Sequence, residues 1–361
     1  MGPLENLRVV ELAAGAPTAY AAGLLADLGA DVVRIDRPGG RHQAADPLGR
    51  GRRSVAADLK DENDLNTVRS LTDRADVFLE GLRPGMCERL GLGPDALTKS
   101  NPRLVYARLS GWGRTGPWAA RPGHDISFLA MAGLLDGDRP AGGAPMPPTP
   151  PAPPAPPSTY LSTFAGGGML QALGILAALH ERDRSGRGQV VDAAMVDGAA
   201  MLDVMIRQWR GLPGMSTVTD APFYTTYACQ DGLHVAVGAI EPRFYATLLE
   251  CLALDPAALP DRADEANWPA LRDLLAAAFA EHPRHHWTKV FDEHEACVVP
   301  VLDQAEAAAH PALRERDTFV EVAGAHQPAP APRFSRTPAA VPAPAPAPGA
   351  HSAAEVLDAW A

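Results

Sequence analysis

Four basic side chains early in this sequence could bind phosphate groups. They follow predicted strands: Arg37 in the phrase RIDRP, Lys60 in ADLK, and Arg83 and Arg89 in EGLRPGMCERLG. Arginine forks and lysine ammonium groups are the side chains that hold phosphate oxygens. Open α/β sheets bind their ligands outside the carboxyl ends of the strands, which is where these residues fall. The alternative interpretation is that each one is a solvated surface charge.

Cysteine and glycine patterns argue against several other chemistries. The four cysteines form no CxxC pair and are irregularly spaced, so we expect no metal site and no disulfide framework, only reduced thiols that behave as small buried apolar residues. The turn after the first predicted strand reads AAGAPTAYAAG and lacks GxGxxG, which disfavours NAD and FAD. The sequence has no P-loop motif either.

Length and charge narrow the class of protein. The 361 residues suggest about two domains, and 46% hydrophobic residues suffice for a sizeable core. With 32 Lys and Arg against 43 Asp and Glu, the net charge is −11, which argues against nucleic-acid binding. We read no apolar stretch as a membrane span and, because of Glu5, no signal peptide at the N-terminus. A cytoplasmic protein without a membrane partner is therefore expected.

Strand and helix signals alternate through the first part of the chain. Apolar runs predict strands at Leu7–Leu12, Asp31–Ile35, Ser54–Leu59, Asp76–Glu80, Leu104–Leu109 and Gln189–Met195. Helical spacing predicts helices at Pro17–Gly29, from the cap Asp61 through Arg74, at Leu161–Glu181 and at Val196–Arg210. Repeated βα units imply a mainly parallel sheet with helices on both faces, an α/β fold of the Rossmann-like class.

The pattern changes in the second part. Phe223–Cys229 and Leu233–Ile240, joined by QDG, predict a β-hairpin. Helices are predicted after it at Phe244–Leu252, Trp268–Glu281 and Trp287–Phe291. We expect a small α+β domain over 215–325, after a linker helix over 201–214. The large domain takes residues 1–200, carries a proline-rich insert at 139–158, and is completed by 330–361. A second proline-rich stretch, Pro328–Pro348, should be extended.

Seven phrases, in order along nearly the whole chain, carry a resemblance. They are LGADVVRIDRP, ADLK, EGLRPGMCERLGLG, YARLSGWGRTGP, GHDI, GQVVDAAMVDG and VAVGAIEPRFY. Together they resemble the family III CoA-transferase superfamily of the CaiB/BaiF type, and GHDI with AIEP points to its α-methylacyl-CoA racemase branch. The resemblance implies a Rossmann-like large domain, a small domain and an interlocked homodimer. It places the active site between the large domain of one subunit and the small domain of the other. It implies no metal or redox cofactor, with CoA present only as part of the substrate.

The reaction of that branch moves the proton α to a thioester carbonyl. It needs an acid–base group on each face of the carbon and donors that stabilise charge on the carbonyl oxygen. The resemblance assigns His124 to one face, assisted by Glu241 across the dimer interface. A neutral imidazole is suited to act as a base near pH 7. The alternatives are a purely structural His124 and a Glu241 that only caps the helix it opens.

The same resemblance implies how CoA is bound. The four basic residues named above match positions that line the CoA nucleotide. Glycines would let the backbone approach the ligand closely, at Gly81 and at the run 166–168, unless that run serves only tight helix packing. The full set of implied CoA-binding residues is Arg37, Ala57, Leu59, Lys60, Gly81, Arg83 and Arg89.

One position departs from the family pattern. The family has an Asp before a Phe and a glycine run, where this sequence has Thr163 in LSTFAGGGM. A threonine hydroxyl cannot act as a base near pH 7 and only donates or accepts hydrogen bonds. Asp125, next to His124, is expected to be a helix cap or a structural group. Tyr160 is an alternative proton donor for the second face.

These features predict an isomerase that performs enolate-type acid–base chemistry at the α-carbon of an acyl-CoA or related thioester. With Thr163 in place of Asp, one-sided epimerisation or isomerisation is expected. CoA-transferase activity is not expected, because that Asp is also the family's nucleophile. The alternatives are a lyase, isomerase or cyclase of secondary metabolism on the same fold, or a non-catalytic ligand-binding homologue. Retention of His124 and Glu241 counts against the last of these.

Overall fold

The structure is a computed structural model that describes residues 2–134, 160–204 and 221–361. These residues form two compact units. The first unit contains residues up to 204 together with 311–361, and the second contains 221–310. The proline-rich insert at 139–158 lies outside the described residues, as does most of the predicted linker helix at 201–214.

The boundary between the units differs from the predicted one. The small domain was expected to run to residue 325, whereas the second unit ends at residue 310. A two-stranded hairpin explains the difference, because its residue Gln327 bonds to the first unit. Arg50 Nη1 donates to Gln327 Oε1 at 3.0 Å, and Gln327 Nε2 donates to the Ala45 carbonyl at 2.9 Å. Those bonds hold the segment 311–328 to the first unit.

A six-stranded sheet forms the centre of the first unit. Its order is β3-β2-β1-β4-β5-β6, and every neighbouring pair is parallel. The α/β class and all six predicted strands are confirmed. The strands are β1 (Arg8–Leu12), β2 (Asp31–Asp36), β3 (Arg52–Ala56), β4 (Val77–Glu80), β5 (Val105–Ser110) and β6 (Val190–Ala194).

Helices cover both faces of this sheet because its central strands are apolar on both sides. One core cluster contains β1 residue Val10, Val68 of the helix Glu62–Thr72 and Val356 of the last helix. The opposite cluster contains Val9 and Ile175. The helices of this unit are Ala16–Asp27, Glu62–Thr72, Met86–Arg89, Pro94–Ser100, Asp125–Ala132, Leu170–Ser185, Met195–Leu202, Pro311–Glu315 and Ala353–Ala359.

The predicted helix cap at Asp61 is confirmed. Its carboxylate accepts hydrogen bonds from the backbone N–H groups of Asn63 and Asp64, at 2.8 and 3.2 Å. These bonds satisfy donors that have no partner within the first turn of a helix. The helix therefore begins where the sequence predicted, at the end of the phrase ADLK.

The predicted helix at Leu161–Glu181 is present but begins differently. Tyr160–Met169 is π-helical, and Leu170–Ser185 continues as an α-helix. By length and composition alone this 26-residue segment could cross a membrane, although we read no stretch of the sequence as a span. One such helix is weak evidence, because core helices pass the same test. Its inner face packs into the fold, with Gln171, Ala172, Ile175, Ala178, Leu179 and Arg182 buried.

The second unit is a small α+β arrangement, and its predicted hairpin is confirmed. Strands β7 (Tyr224–Ala228) and β8 (His234–Gly238) pair antiparallel, and β9 (Val298–Pro300) adds a third strand that was not predicted. The three predicted helices are also present. The helices here are Pro242–Cys251, Pro256–Ala258, Glu265–Asn267, Trp268–Phe279, Arg284–Asp292 and Gln304–Ala309, of which the second and third are 3₁₀ turns.

The chain returns to the first unit through a hairpin of β10 (Phe319–Val322) and β11 (Ala325–Pro328), which was not predicted. The proline-rich stretch after it contains no helix or strand from residue 329 to 352. That extended course agrees with the sequence prediction for this segment, because prolines lack the N–H groups that regular structure needs.

Candidate functional site

Two cavities open at the carboxyl edge of the six-stranded sheet. The strand order reverses between β1 and β4, and such a switch point leaves a crevice where open α/β sheets bind ligands. Residues after β1, β2 and β3 line the first cavity, of about 850 Å³. Residues after β1, β4 and β5 line the second, of about 620 Å³. Leu82, directly after Gly81, belongs to the wall of both.

The first cavity collects the basic residues predicted near β2 and β3. Arg37 and Lys60 line it, and so do Ala57 and Leu59. Sequence reasoning missed Arg41, which lies in the wall and belongs to the same RIDRPGGR segment as Arg37. Its position four residues after Arg37 was the available signal. Guanidinium and ammonium groups in its lining make this cavity chemically suited to phosphate groups.

The second cavity contains the predicted residues near β4 together with the candidate base. Gly81, Arg83, Arg89 and His124 all line it. The structure thus places every residue expected to bind CoA in the wall of one of two neighbouring cavities. Sequence reasoning missed Trp112, which also lines the second cavity and lies in the SGWGRTGP phrase.

His124 is the N-cap residue of the helix Asp125–Ala132. Its side chain is exposed, and its backbone N–H donates to Ser127 Oγ at 3.4 Å. Phe128 anchors the helix, since it is 2% exposed and its ring centroid lies 4.7 Å from that of Trp112. A Cβ on Gly123 would lie 2.7 Å from the Phe128 ring, so only glycine fits before His124. This packing holds the imidazole at the cavity wall.

Asp125 is the first helical residue rather than the cap, which corrects one of the two roles expected for it. Its Oδ1 accepts a hydrogen bond from Ser162 Oγ at 2.6 Å and another from Thr163 Oγ1. Both donors belong to the π-helical segment Tyr160–Met169. Asp125, the residue after His124, is therefore hydrogen-bonded to two neighbouring residues of that segment, Ser162 and Thr163.

The π-helical segment is held by close packing around its glycines. A Cβ on Gly168 would lie 2.7 Å from the Pro17 carbonyl oxygen, and one on Gly166 would lie 2.9 Å from the Ala199 backbone nitrogen. The Tyr20 and Phe164 rings pack beside it with centroids 4.9 Å apart. The tight-packing interpretation of this glycine run is the one that the structure supports.

Tyr160 lies at the start of the same segment and is 54% exposed. It does not line either of the two cavities described above. Its ring centroid lies 6.4 Å from that of Phe164. Its role as an alternative proton donor stays a prediction.

Glu241 lies in the second unit, where it precedes the helix Pro242–Cys251 as predicted. Its side chain is exposed and makes no capping hydrogen bond to that helix. The alternative in which the carboxylate serves only as a cap is therefore not supported. Its role as a partner of His124 stays a prediction.

A buried ion pair that sequence reasoning missed holds the loop leading to His124. Arg114 donates to Glu80, the last residue of β4, and 5% and 1% of the two side chains are exposed. Burial raises the pKa of Glu80, and the charge of Arg114 opposes that rise. The Leu82 backbone N–H donates to the same carboxylate at 2.8 Å. No sequence motif pairs these residues, which lie 34 positions apart.

The cysteines lie outside this chemistry. Cys87 and Cys229 are buried, as expected, whereas Cys297 is exposed, contrary to expectation. Burial raises the pKa of Cys87 to about 12 and that of Cys229 to about 11. Within the described ranges, no three His, Cys, Asp or Glu side chains gather in a way that could hold a metal ion.

The chain is similar to known proteins along most of its length. The chain is 43% identical to α-methylacyl-CoA racemase of Mus musculus over 344 residues, covering 93% of this chain and 87% of the relative. It is 31% identical to acetyl-CoA:oxalate CoA-transferase of Acetobacter aceti, covering 91% of this chain and 88% of the relative. The crystal structure of a CaiB/BaiF family protein from Brucella suis matches with a TM-score of 0.82 at 25% identity, covering all of both chains. The model of CoA-transferase family III matches residues 4–352, and the chain belongs to that family.

Proposed function

We propose that this protein is a racemase-like isomerase that moves the α-proton of an acyl-CoA thioester. The observation that carries the proposal is the position of His124, in the wall of a cavity that shares Leu82 with the basic first cavity. The similarity to a mammalian α-methylacyl-CoA racemase at 43% identity supports the same reaction class. In this arrangement a phosphate-bearing ligand and a proton-transfer group are neighbours.

The positions of the basic residues in the two cavities indicate how an acyl-CoA would bind. The nucleotide phosphates of CoA bind in the first cavity, against Arg37, Arg41 and Lys60. The acyl thioester then extends past Leu82 into the second cavity, beside Arg83 and His124. The two volumes, about 850 and 620 Å³, fall in the range of ligand pockets. CoA enters only as part of the substrate, and the proposed reaction needs no other cofactor.

His124 serves one face of the α-carbon. A neutral imidazole takes the α-proton, and the electron pair of the broken C–H bond moves to the thioester oxygen as an enolate. In the family that the chain belongs to, a glutamate assists the histidine, and we propose Glu241 for that role. A homodimer would supply Glu241 from a second copy of the chain, and light scattering tests it: a monomeric mass contradicts the dimer.

CoA transfer is not the proposed reaction. The family's transferases form an anhydride on an Asp carboxylate, whereas this chain has Thr163 at that position by sequence match. A hydroxyl cannot form a carboxylic anhydride, and the neighbouring Ser162 and Phe164 offer no carboxylate either. Acid–base chemistry at the α-carbon therefore fits this chain better than group transfer.

The test is α-proton exchange in D₂O with (R)- and (S)-2-methylacyl-CoA. We expect deuterium uptake by the wild type and a loss of about 10²- to 10⁴-fold in His124→Ala for the enantiomer that presents its proton to the imidazole. His294→Ala, an exposed histidine of the second unit, is the control and should exchange like the wild type. Absence of exchange from both enantiomers, with CoA still bound, would refute the proposal.

A further inference from the structure

We infer that Asp125, acting through the hydroxyl of Thr163, is the second proton-transfer group of this site. The inference rests on the proposed function, because it names what serves the face of the α-carbon opposite His124. The proposed function leaves the second face of the α-carbon without an assigned proton-transfer group. Racemisation needs a proton acceptor and donor on both faces, and Thr163 alone is too weak a base.

The hydrogen bonds of Asp125 carry the inference. Its Oδ1 accepts from Ser162 Oγ at 2.6 Å and from Thr163 Oγ1. A hydroxyl has one proton to donate, and the carboxylate oxygen offers no proton when it is ionised. Both hydroxyl protons therefore point at Asp125. That leaves the lone pairs of Thr163 Oγ1 as the acceptor toward any other group.

Accessible surface separates the two hydroxyls. Ser162 is 0% exposed, whereas Thr163 is 8% exposed. Of the two residues, only Thr163 therefore keeps some accessible surface. For this reason we assign the relay to Thr163 and the positioning of the Asp125 carboxylate to Ser162.

The relay conserves atoms and charge. The α-C–H bond breaks and a new O–H bond forms at Thr163 Oγ1, while the original Thr163 O–H bond breaks and its proton joins Asp125 Oδ1. The electron pair of the C–H bond moves to the thioester oxygen. The outcome is an enolate, a neutral Asp125 acid and an unchanged threonine. Run backwards, the same path delivers a proton to the carbon on that face.

Both ends of the relay are rigidly placed. Asp125 begins a helix whose Phe128 is 2% exposed, and Thr163 lies in a segment packed against Pro17 and Tyr20 through Gly168. π-helical turns are rare and occur frequently at functional sites. Fixed geometry is what proton transfer requires, because small displacements of the reacting groups reduce the rate strongly.

Four variants of the full-length chain test the relay by enantiomer-resolved deuterium exchange with (R)- and (S)-2-methylacyl-CoA. Asp125→Asn and Thr163→Val should lower exchange by about 10²- to 10⁴-fold for the enantiomer that faces Thr163, and leave the other within a few-fold of wild type. Thr163→Ser keeps the hydroxyl and should retain exchange from both. Ser162→Ala removes a hydrogen bond to the same carboxylate oxygen but leaves the relay hydroxyl in place, so it should lower exchange from the enantiomer that faces Thr163 much less than Thr163→Val does.

The exchange experiment distinguishes failure of the relay from failure of the proposed function. Wild-type exchange from one enantiomer alone would overturn the relay and leave His124 chemistry standing. Wild-type exchange from neither would overturn both. An equal loss for both enantiomers in Asp125→Asn, or equal losses in Thr163→Val and Ser162→Ala, would show a structural role and overturn the relay. Thermal melting of all four variants checks that folding is intact, and the comparison of Thr163→Val with Thr163→Ser decides the question if Asp125→Asn fails to fold.

Discussion

Arg114 and Glu80 tie the loop that leads to His124 to the end of β4 through a buried ion pair. The same carboxylate accepts the backbone N–H of Leu82, the residue that the two cavities share. One buried charge thus organises both the cavity wall and the approach to the candidate base. The pair is positioned by strand and loop rather than by neighbouring sequence.

Removing Arg114 should destabilise the protein. In Arg114→Met the Glu80 carboxylate would stay buried without its partner, and breaking a buried pair costs about 3–5 kcal/mol. Chemical denaturation of Arg114→Met against wild type measures the loss. The double variant Glu80→Gln/Arg114→Met leaves no buried charge and should recover part of it. A loss below about 1 kcal/mol in the single variant would contradict the buried-pair account.

The pH dependence of Arg114→Met follows from Glu80. Burial raises the pKa of Glu80 above its ordinary 4.5, and Arg114 opposes this. A raised pKa means that the folded protein binds the proton more tightly than the unfolded chain, so stability falls as pH rises through the raised value. Without Arg114 the pKa rises further. We expect the difference in free energy of unfolding between wild type and Arg114→Met to grow from pH 4.5 to 7. A constant difference would exclude Glu80 as its source.

Lys60 should contribute to CoA affinity through its charge. Its side chain is exposed in the wall of the first cavity, so its removal is expected to cost about 1 kcal/mol, or roughly a fivefold rise in Kd. Isothermal titration of Lys60→Ala with CoA measures the change, which should shrink as salt increases because salt screens exposed charges. Lys99→Ala, from the helix Pro94–Ser100, is the control. Equal affinities for both variants would remove Lys60 from the binding site.

Gly81 should not tolerate a side chain. A Cβ there would collide with Thr18 Oγ1 and lie 3.1 Å from the Ala14 carbonyl oxygen. Overpacking of this kind costs about 1–3 kcal/mol, and we expect Gly81→Ala to lower the melting temperature and weaken CoA binding. Among the residues that the structure describes, buried Thr18 Oγ1 has no hydrogen-bond partner, so Thr18→Ala should lose no hydrogen bond there and should partly rescue Gly81→Ala.

Gly23 provides the control for that variant. A Cβ at Gly23 would meet nothing nearer than 3.4 Å, and the residue lies inside the helix Ala16–Asp27. Alanine is favoured over glycine in a helix interior by about 0.5–1 kcal/mol. Gly23→Ala should therefore leave stability equal or raised. A similar loss in Gly23→Ala and Gly81→Ala would show that the effect is not specific to the cavity wall.

Trp360 should anchor the end of the chain. It is 2% exposed, packs in the same core cluster as Val356, and its Nε1 donates to Asp31 Oδ2 at 2.7 Å. Trp360→Ala should lower the free energy of unfolding by about 3–5 kcal/mol, measured by urea denaturation. Trp360→Phe keeps most of the apolar surface and should lose about 1 kcal/mol, for the hydrogen bond alone. Equal losses for the two variants would contradict a packing role.

Local patterns predicted most of the fold. Apolar runs separated by helical segments predicted all six parallel strands. The signal was clearest for β4 and β5, because strands buried on both faces are largely apolar. The cap at Asp61 and the hairpin β7–β8 followed from turn and capping chemistry, which acts within a few residues. The three-residue strand β9 was missed because a segment so short has no period to read.

Some residues of the candidate site were likewise predicted from the sequence, and others were missed. Arg37, Lys60, Gly81, Arg83, Arg89 and His124 were named from short phrases, and the structure places each in a cavity wall at the carboxyl edge of the sheet. The resemblance to the family supplied those assignments, and the residues that follow the strands lie at one edge because parallel strands end at a common edge. Trp112 was missed because nothing local separates it from other surface residues, and Arg41 was missed although it follows Arg37 by four residues.

The sequence by itself determined where the strands lie, that βα units connect them into a mainly parallel sheet, and which functional groups follow them. Only the tertiary structure decided which distant groups meet. Asp125 bonds to Thr163 across 38 positions, and Arg114 bonds to Glu80 across 34. The physical reason is that strand and helix signals depend on neighbours within a few residues, whereas a hydrogen bond between buried side chains depends on how whole elements pack.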